Sequence, residues 1–366
     1  MTPVTWAEVI ARRLERSSLA PRTGELVDAV AGVGGVQAQL QSSAELQLAS
    51  RVDGIAQADV RAALWERREL VKAWTLRGTL HLHPAAELPL WHAARRAVAV
   101  DDRSLPVWRD PDGNVHPALG AEQVAEVRTA VRDVLDGRCL LREEIVEEVV
   151  ARVGPKPRAR LSSGFAFFLG DLCQGPPRGA KVTFARPDQW VDGWHEPHPA
   201  QALREAARRF LQAYGPARPK DFLEWFGGSR APFDEIEVDE VDVEGRAAFV
   251  LAGDTEFSQP SDSVRLLPEY DAYVMGFRER AQLIPPEVRA QVAEHGRGRY
   301  EGPAGVRFVL VDGVTAGTWN RAKRGKRFDV HLRLIRRLTK PQRDELQAEV
   351  ARIGAFLGLE PVLTID

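Results

Sequence analysis

The chain has 366 residues, 44% of them hydrophobic and 28% charged, and its 50 basic and 52 acidic side chains leave a formal net charge of −2. That composition excludes a disordered chain. The apolar stretches Gly164–Leu172 and Val306–Val311 fall short of the ~20 residues that a spanning helix needs. No basic region followed by an apolar run opens the sequence. Two cysteines, Cys139 and Cys173, make neither a disulfide framework nor a cysteine-only metal site. The expectation is a cytoplasmic, bacterial chain of two to four modules.

The charge balance hides a segregation. Phe233–Asp262 carries ten acidic residues and one basic residue, Arg246, whereas Arg321–Arg343 carries ten basic residues and one acidic residue, Asp329. Only seven of the 50 basic residues are lysines, so the positive charge is mostly guanidinium, whose planar fork suits phosphate and carboxylate.

Helical spacing opens the chain. Trp6, Val9, Ile10 and Leu14 mark one helix, Gly24–Val30 and Ser43–Ser50 two more, and Asp59 is placed to cap a fourth. The period then changes to alternation in Leu70–Arg77 and Thr79–His83, which predicts a hairpin. Short helices closed by a hairpin are the pattern of a winged helix. The order recurs with helices over Ala121–Leu135, Arg142–Arg152 and Ser162–Cys173 and a strand over Ala180–Ala185. It recurs again with helices over His198–Tyr214 and Lys220–Phe226, a third starting near Ser229, and strands over Glu235–Val243 and Arg246–Leu251. The remainder is β-rich over Val264–Met275, Val306–Val311 and Val314–Trp319, with a further strand at Arg327–Leu334 and a helix over Pro341–Leu357.

No Walker loop or Gly-x-Ser-x-Gly elbow is present. The glycines of Ala31-Gly-Val-Gly-Gly-Val have no following lysine and read as a helix end. Gln37-Ala38-Gln39, with Gln41 and Gln47 behind it, reads either as a polar turn or as paired amides that hold a water or a base edge. Alternation puts His81 and His83 on one face of a strand, beside Arg77. They read as satisfied strand histidines or as contacts to phosphates and sugars, and a zinc site would need a third ligand. The basic residues Arg321, Lys323, Arg324, Lys326 and Arg327 surround a turn at Gly325. They are a solvated loop, a partner for the chain's own acidic Asp234–Glu244, or a grip on a phosphate backbone. Dense charge of one sign favours the last. Glu269 and Asp271, flanked by aromatics and arginines, read as a structural knot of ion pairs rather than a catalytic pair.

At this point five segments in order resemble one family, the AlkZ/YcaQ-like winged-helix DNA glycosylases. They are Val36–Leu40, Leu76–Pro84, Tyr214–Gly227, Leu266–Phe277 and Gly317–Arg321. The resemblance runs from about residue 5 to the C-terminus. It implies an α+β fold of three tandem winged-helix units (1–100, 115–195 and 198–262) followed by a small C-terminal β-barrel with a terminal helix (263–366). It implies hydrolysis of the N-glycosidic bond of cationic N-alkylated purines in double-stranded DNA, with unhooking of interstrand crosslinks in one branch. The family motif, Gln-apolar-Gln or Gln-apolar-Asp, falls on Gln37 and Gln39 as the catalytic pair, without the aspartate. Arg77, His81, His83 and the Arg321–Arg327 group are then expected to bind DNA. No cofactor or metal is called for, and the chain is expected to act as a monomer. The rival reading is a regulator that binds DNA through the same winged helices without catalysis.

Overall fold

Thr5 starts the first helix, Trp6–Arg16, through a capping box: its hydroxyl accepts the Glu8 N–H while the Glu8 carboxylate accepts the Thr5 N–H. The computed structural model describes residues 2–98, 104–110, 112–163, 170–259, 262–276, 280–295 and 305–366. The chain divides into two units, one of Met1–Ala62, Arg204–Phe226 and Ala231–Asp366, the other of Ala63–Leu203 and Gly227–Arg230.

In the first unit, three strands form a small sheet: Thr2–Val4 pairs in parallel with Val238–Val243, which pairs antiparallel with Ala247–Leu251. The helices end against an aromatic cluster. Phe210 and Tyr214 from Pro199–Tyr214 meet Phe222 and Trp225 from Pro219–Phe226, with ring centroids 5.2–6.2 Å apart. Each such pair contributes about 0.5–1.5 kcal/mol beyond area burial. The helix expected near Ser229 is a single 3-10 turn, Phe233–Glu235.

The C-terminal strands form one sheet in the order Val264–Leu267, Phe308–Val311, Val314–Arg324, Arg327–Leu334 and Glu360–Ile365. It is an open sheet among the described residues, where a barrel was expected. Helix Lys340–Leu357 packs against its first strand, and the buried Glu349 accepts from Arg22 Nη2 at 2.6 Å and the Leu266 N–H at 3.3 Å. That cover protects an edge that would otherwise pair with other chains. The β-rich reading of Val264–Met275 holds only to Leu267. A short helix, Ala272–Gly276, follows it.

Helix Gln41–Arg51 is buried from Ser43 to Arg51, although Ser43, Gln47 and Arg51 are polar at i, i+4 and i+8. That spacing puts them on one face, and the face is bonded to the segment after Leu267. The Ser43 hydroxyl donates to the Glu269 carbonyl, Gln47 Oε1 accepts the Ala272 N–H at 3.1 Å, and Arg51 grips Asp271 with two bonds of 2.9 and 2.7 Å. Neither side chain of that ion pair touches solvent. Removing one partner of such a pair costs about 3–5 kcal/mol. The Glu269–Asp271 segment is the structural knot its composition suggested.

The second unit is built on strands Leu80–Pro84, Leu70–Trp74, Cys173–Arg178, Lys181–Ala185 and Leu140–Leu141, paired in that order. Helices Ala121–Val134 and Arg142–Val153 pack beside them over a core of Val127, Val131, Ile145, Val149 and Phe184. The hairpin of the first predicted module and the strands Cys173–Arg178 and Lys181–Ala185 of the second, where only a strand over Ala180–Ala185 was expected, share this sheet through the Ala73–Cys173 pairing. Half of the helix expected over Ser162–Cys173 lies outside the described residues. A helix covers Arg158–Ser163 and a strand begins at Cys173. Helix Gln57–Trp65 begins two residues before Asp59, whose carboxylate accepts the Ala56 N–H at 2.7 Å rather than capping from outside.

His92, on helix Leu88–Val98, is 3% exposed, and neither ring nitrogen has a hydrogen-bond partner among the described residues. Burial, reinforced by the nearby Arg96, pushes its pKa down to about 3. The unfolded chain takes up this proton near pH 6.5 and the folded chain does not. Stability is therefore fully present above pH 6.5 and is lost as pH falls toward 3, at about 1.4 kcal/mol per pH unit for such a group. We predict that thermal unfolding at pH 7, 6 and 5 shows a falling Tm, and that His92→Phe flattens the fall. An unchanged pH slope in the variant contradicts the buried neutral ring.

Candidate functional site

The Gln-Ala-Gln segment follows helix Leu26–Gly32 and a turn in which Gly34 and Gly35 adopt φ of 66° and 117°, conformations that side chains resist. The chain then enters the two-residue strand Val36–Gln37. The helix end predicted from these glycines is where the structure has it. Gln37 is 8% exposed. Its backbone carbonyl accepts Gln47 Nε2 at 3.0 Å. Its side-chain Oε1 is buried without a partner among the described residues. A buried amide oxygen left unsatisfied costs about 1–3 kcal/mol, and such atoms cluster where a water or substrate group completes them. Gln39 and Leu40 are exposed, so the motif passes from the interior to the surface within two residues.

Two carboxylates of the first unit, one on helix Gln41–Arg51 and one in the segment after Leu267, are both engaged. Glu45 is 1% exposed and accepts from Gln57 Nε2 at 2.6 Å, Arg61 Nε at 3.0 Å and Gln41 Nε2 at 3.5 Å. Glu269 is clamped by Arg307 with bonds of 2.7 and 3.1 Å. Bonds of this kind fix a carboxylate's orientation. Sequence reasoning passed over Arg61, Gln57 and Arg307. Their signal is only relational, because each is an ordinary polar residue until the fold brings it to its carboxylate.

The basic hairpin divides. Gly325-Lys326 is the turn between strands Val314–Arg324 and Arg327–Leu334, with Arg324 opposite Arg327. Lys323, Arg324, Lys326 and Arg327 are exposed there, and Asp329 holds Arg324 at 3.3 Å and Arg327 at 3.2 Å. Lys323 and Lys326 have no ion-pair partner among the described residues. Arg321 is different. It is half-buried, donates to Ser42 Oγ at 3.3 Å and lies in the fields of Glu269, Arg307 and Glu45. Its pKa is lowered, chiefly by burial, while the two carboxylates oppose that shift. Arg321 therefore belongs with Glu45, Glu269 and Arg307, and the other four form the hairpin tip.

The histidines correct an expectation. His81 and His83 do share a face, with ring centroids 6.0 Å apart, but both are buried, at 2% and 0% exposure. His83 Nε2 lies 2.8 Å from Thr75 Oγ1, and its ring packs 5.0 Å from Trp91. His81 Nδ1 donates to the Thr79 carbonyl at 3.0 Å. Burial, with Arg77 adding to it, pushes the His81 pKa down to about 3, so the ring is neutral near pH 7. Strand Leu80–Pro84 is covered on both faces, which alternation alone does not reveal. Rings held this way offer no cation to a phosphate. Arg77 is half-buried in a left-handed conformation, φ 53°. Its backbone lies so close to Gly227 that a Cβ there would come within 2.8 Å of Arg77 Cα.

Comparison with known proteins bears on the whole chain. The model of a family described as DNA glycosylase AlkZ-like matches residues 30–356. An interstrand DNA cross-link repair glycosylase of Streptomyces sahachiroi is 32% identical over 338 residues, covering 86% of this chain and 87% of its own length. The solved structure of the Streptomyces sahachiroi DNA glycosylase AlkZ superposes with a TM-score of 0.82 at 29% identity, over 100% of both chains. An α+β chain with a Gln-Ala-Gln segment that runs from the interior to the surface, matched from end to end at this level, belongs to the AlkZ-like family of DNA glycosylases.

Proposed function

We propose that this DNA glycosylase hydrolyses the N-glycosidic bond of cationic N-alkylated purines in double-stranded DNA, and that it unhooks interstrand crosslinks tied through such purines. It acts as a monofunctional enzyme and a monomer, with Gln37 and Gln39 placing the attacking water. The observation that carries this reading is the buried Oε1 of Gln37, which has no hydrogen-bond partner among the described residues. The relative's role in cross-link repair supports the crosslink half.

The chemistry suits amides. An N7- or N3-alkylated purine already carries positive charge, so the bond to C1′ breaks with its electron pair passing to the base, which leaves neutral. The sugar is left as an oxocarbenium ion. Water then adds at C1′ and loses a proton to solvent. A fixed amide oxygen orients that water and faces the developing cation with the negative end of its dipole, with no proton transfer at the start. The three helical units with their hairpins act as winged helices on the duplex, and Lys323, Arg324, Lys326 and Arg327 hold phosphates from the hairpin tip. The buried histidines contribute by shaping their strand, not by charge. A regulator without catalysis would need the same basic hairpin but has no use for an unsatisfied buried amide.

The test is single-turnover release of N7-methylguanine from a duplex, together with unhooking of a crosslinked duplex. Gln37→Ala with Gln39→Ala is expected to lower both rates by about 10²-fold or more while DNA affinity holds, as when a preorganised polar group is removed. Full activity in the double variant overturns the site. No base release by the unaltered protein, with intact salt-sensitive binding, favours the regulator.

A further inference from the structure

We infer that Gln47 is a positioning residue for base excision, acting through the Gln37 peptide. The inference rests on the reading of Gln37 given above. The Gln47 side chain has no solvent exposure and is bonded at both ends. Nε2 donates to the Gln37 carbonyl at 3.0 Å, and Oε1 accepts the Ala272 N–H at 3.1 Å. A carbonyl accepts and a backbone N–H donates, so the amide has one orientation and a flip would break both bonds. Its tether is itself anchored. The Gln47 carbonyl accepts Arg51 Nη1 at 3.0 Å, the same guanidinium holds Asp271, and Asp271 Oδ1 accepts the Tyr273 N–H at 2.9 Å.

Gln37 lies just after Gly34 and Gly35, both at positive φ, on a strand two residues long. The Gln47 amide, tied to a buried ion pair, is one of the bonds that hold its peptide. The Gln37 side chain leaves from that peptide, so the position of its unpartnered oxygen follows the tether.

Gln47→Met keeps the length and removes both bonds. Gln47→Glu keeps an acceptor for Ala272 and sets a carboxylate against the Gln37 carbonyl. On a duplex holding one N7-methylguanine, either variant is expected to slow single-turnover excision by about 10- to 100-fold, the range for a misplaced catalytic group. DNA affinity is expected to stay within about twofold. A merely structural residue would lower Tm alone, so the deciding measurement is coupling. In a Gln37→Ala background, Gln47→Met is expected to leave the residual rate unchanged while still lowering Tm. A full additional loss there, or an unchanged rate for both single Gln47 variants, overturns the inference while Gln37 keeps its role. Full activity for Gln37→Ala alone overturns both. Where Gln47→Met does not fold, Gln47→Glu in the same background decides.

Discussion

The ion pair between Arg51 and Asp271 has no access to solvent on either side chain, and the site depends on it. A buried charge is costly unless it is paired and its remaining hydrogen-bonding capacity is filled. Here Arg51 also meets the Gln47 carbonyl, and Asp271 meets the Tyr273 N–H. The charges therefore hold three things in one geometry: helix Gln41–Arg51, the turn after strand Val264–Leu267, and, through Gln47, the peptide of Gln37. The rest of the first unit reinforces this register. Trp319 Nε1 donates to the Leu267 carbonyl at 2.8 Å, and Tyr214 Oη donates to the Val33 carbonyl at 2.9 Å, just before the Gln motif. Residues nearly 180 positions apart thus frame one short strand.

That scaffold bears on the proposal that amides, rather than a free carboxylate, act at the motif. Glu45 and Glu269 lie in the field of Arg321 and are each bonded to guanidinium or amide donors. His81, in the other unit, is neutral by burial. What remains at the motif is dipoles, whose value depends on being held still before the bond breaks.

Much of this was legible in the sequence, and the reasons for the rest are physical. Long periodic elements such as Trp6–Arg16, Pro199–Tyr214 and Lys340–Leu357 follow from spacing and caps. The Gln37–Gln39 motif and the basic hairpin were visible as residue types. The burial of His81 and His83 was not, because a strand covered on both faces carries the same letters as one covered on one. Nor was the Ser43, Gln47 and Arg51 stripe. Polar residues at i, i+4 and i+8 read as a solvated face until a partner segment more than 200 residues away appears opposite. Strand Glu360–Ile365 was missed because its pairing with Arg327–Leu334 is parallel, which no local turn announces. The net charge of −2 concealed a local concentration of charge, since Lys323, Arg324, Lys326 and Arg327 are all exposed at one hairpin tip.

The central claim is that oriented amides, and not proton transfer to the base, drive excision. The most direct test compares single-turnover release of N7-methylguanine with release of uracil from otherwise identical duplexes. The cationic purine leaves without protonation, and a neutral base does not. The account predicts measurable release of N7-methylguanine and none of uracil above background. Comparable release of both would require a general acid in the site and would contradict it.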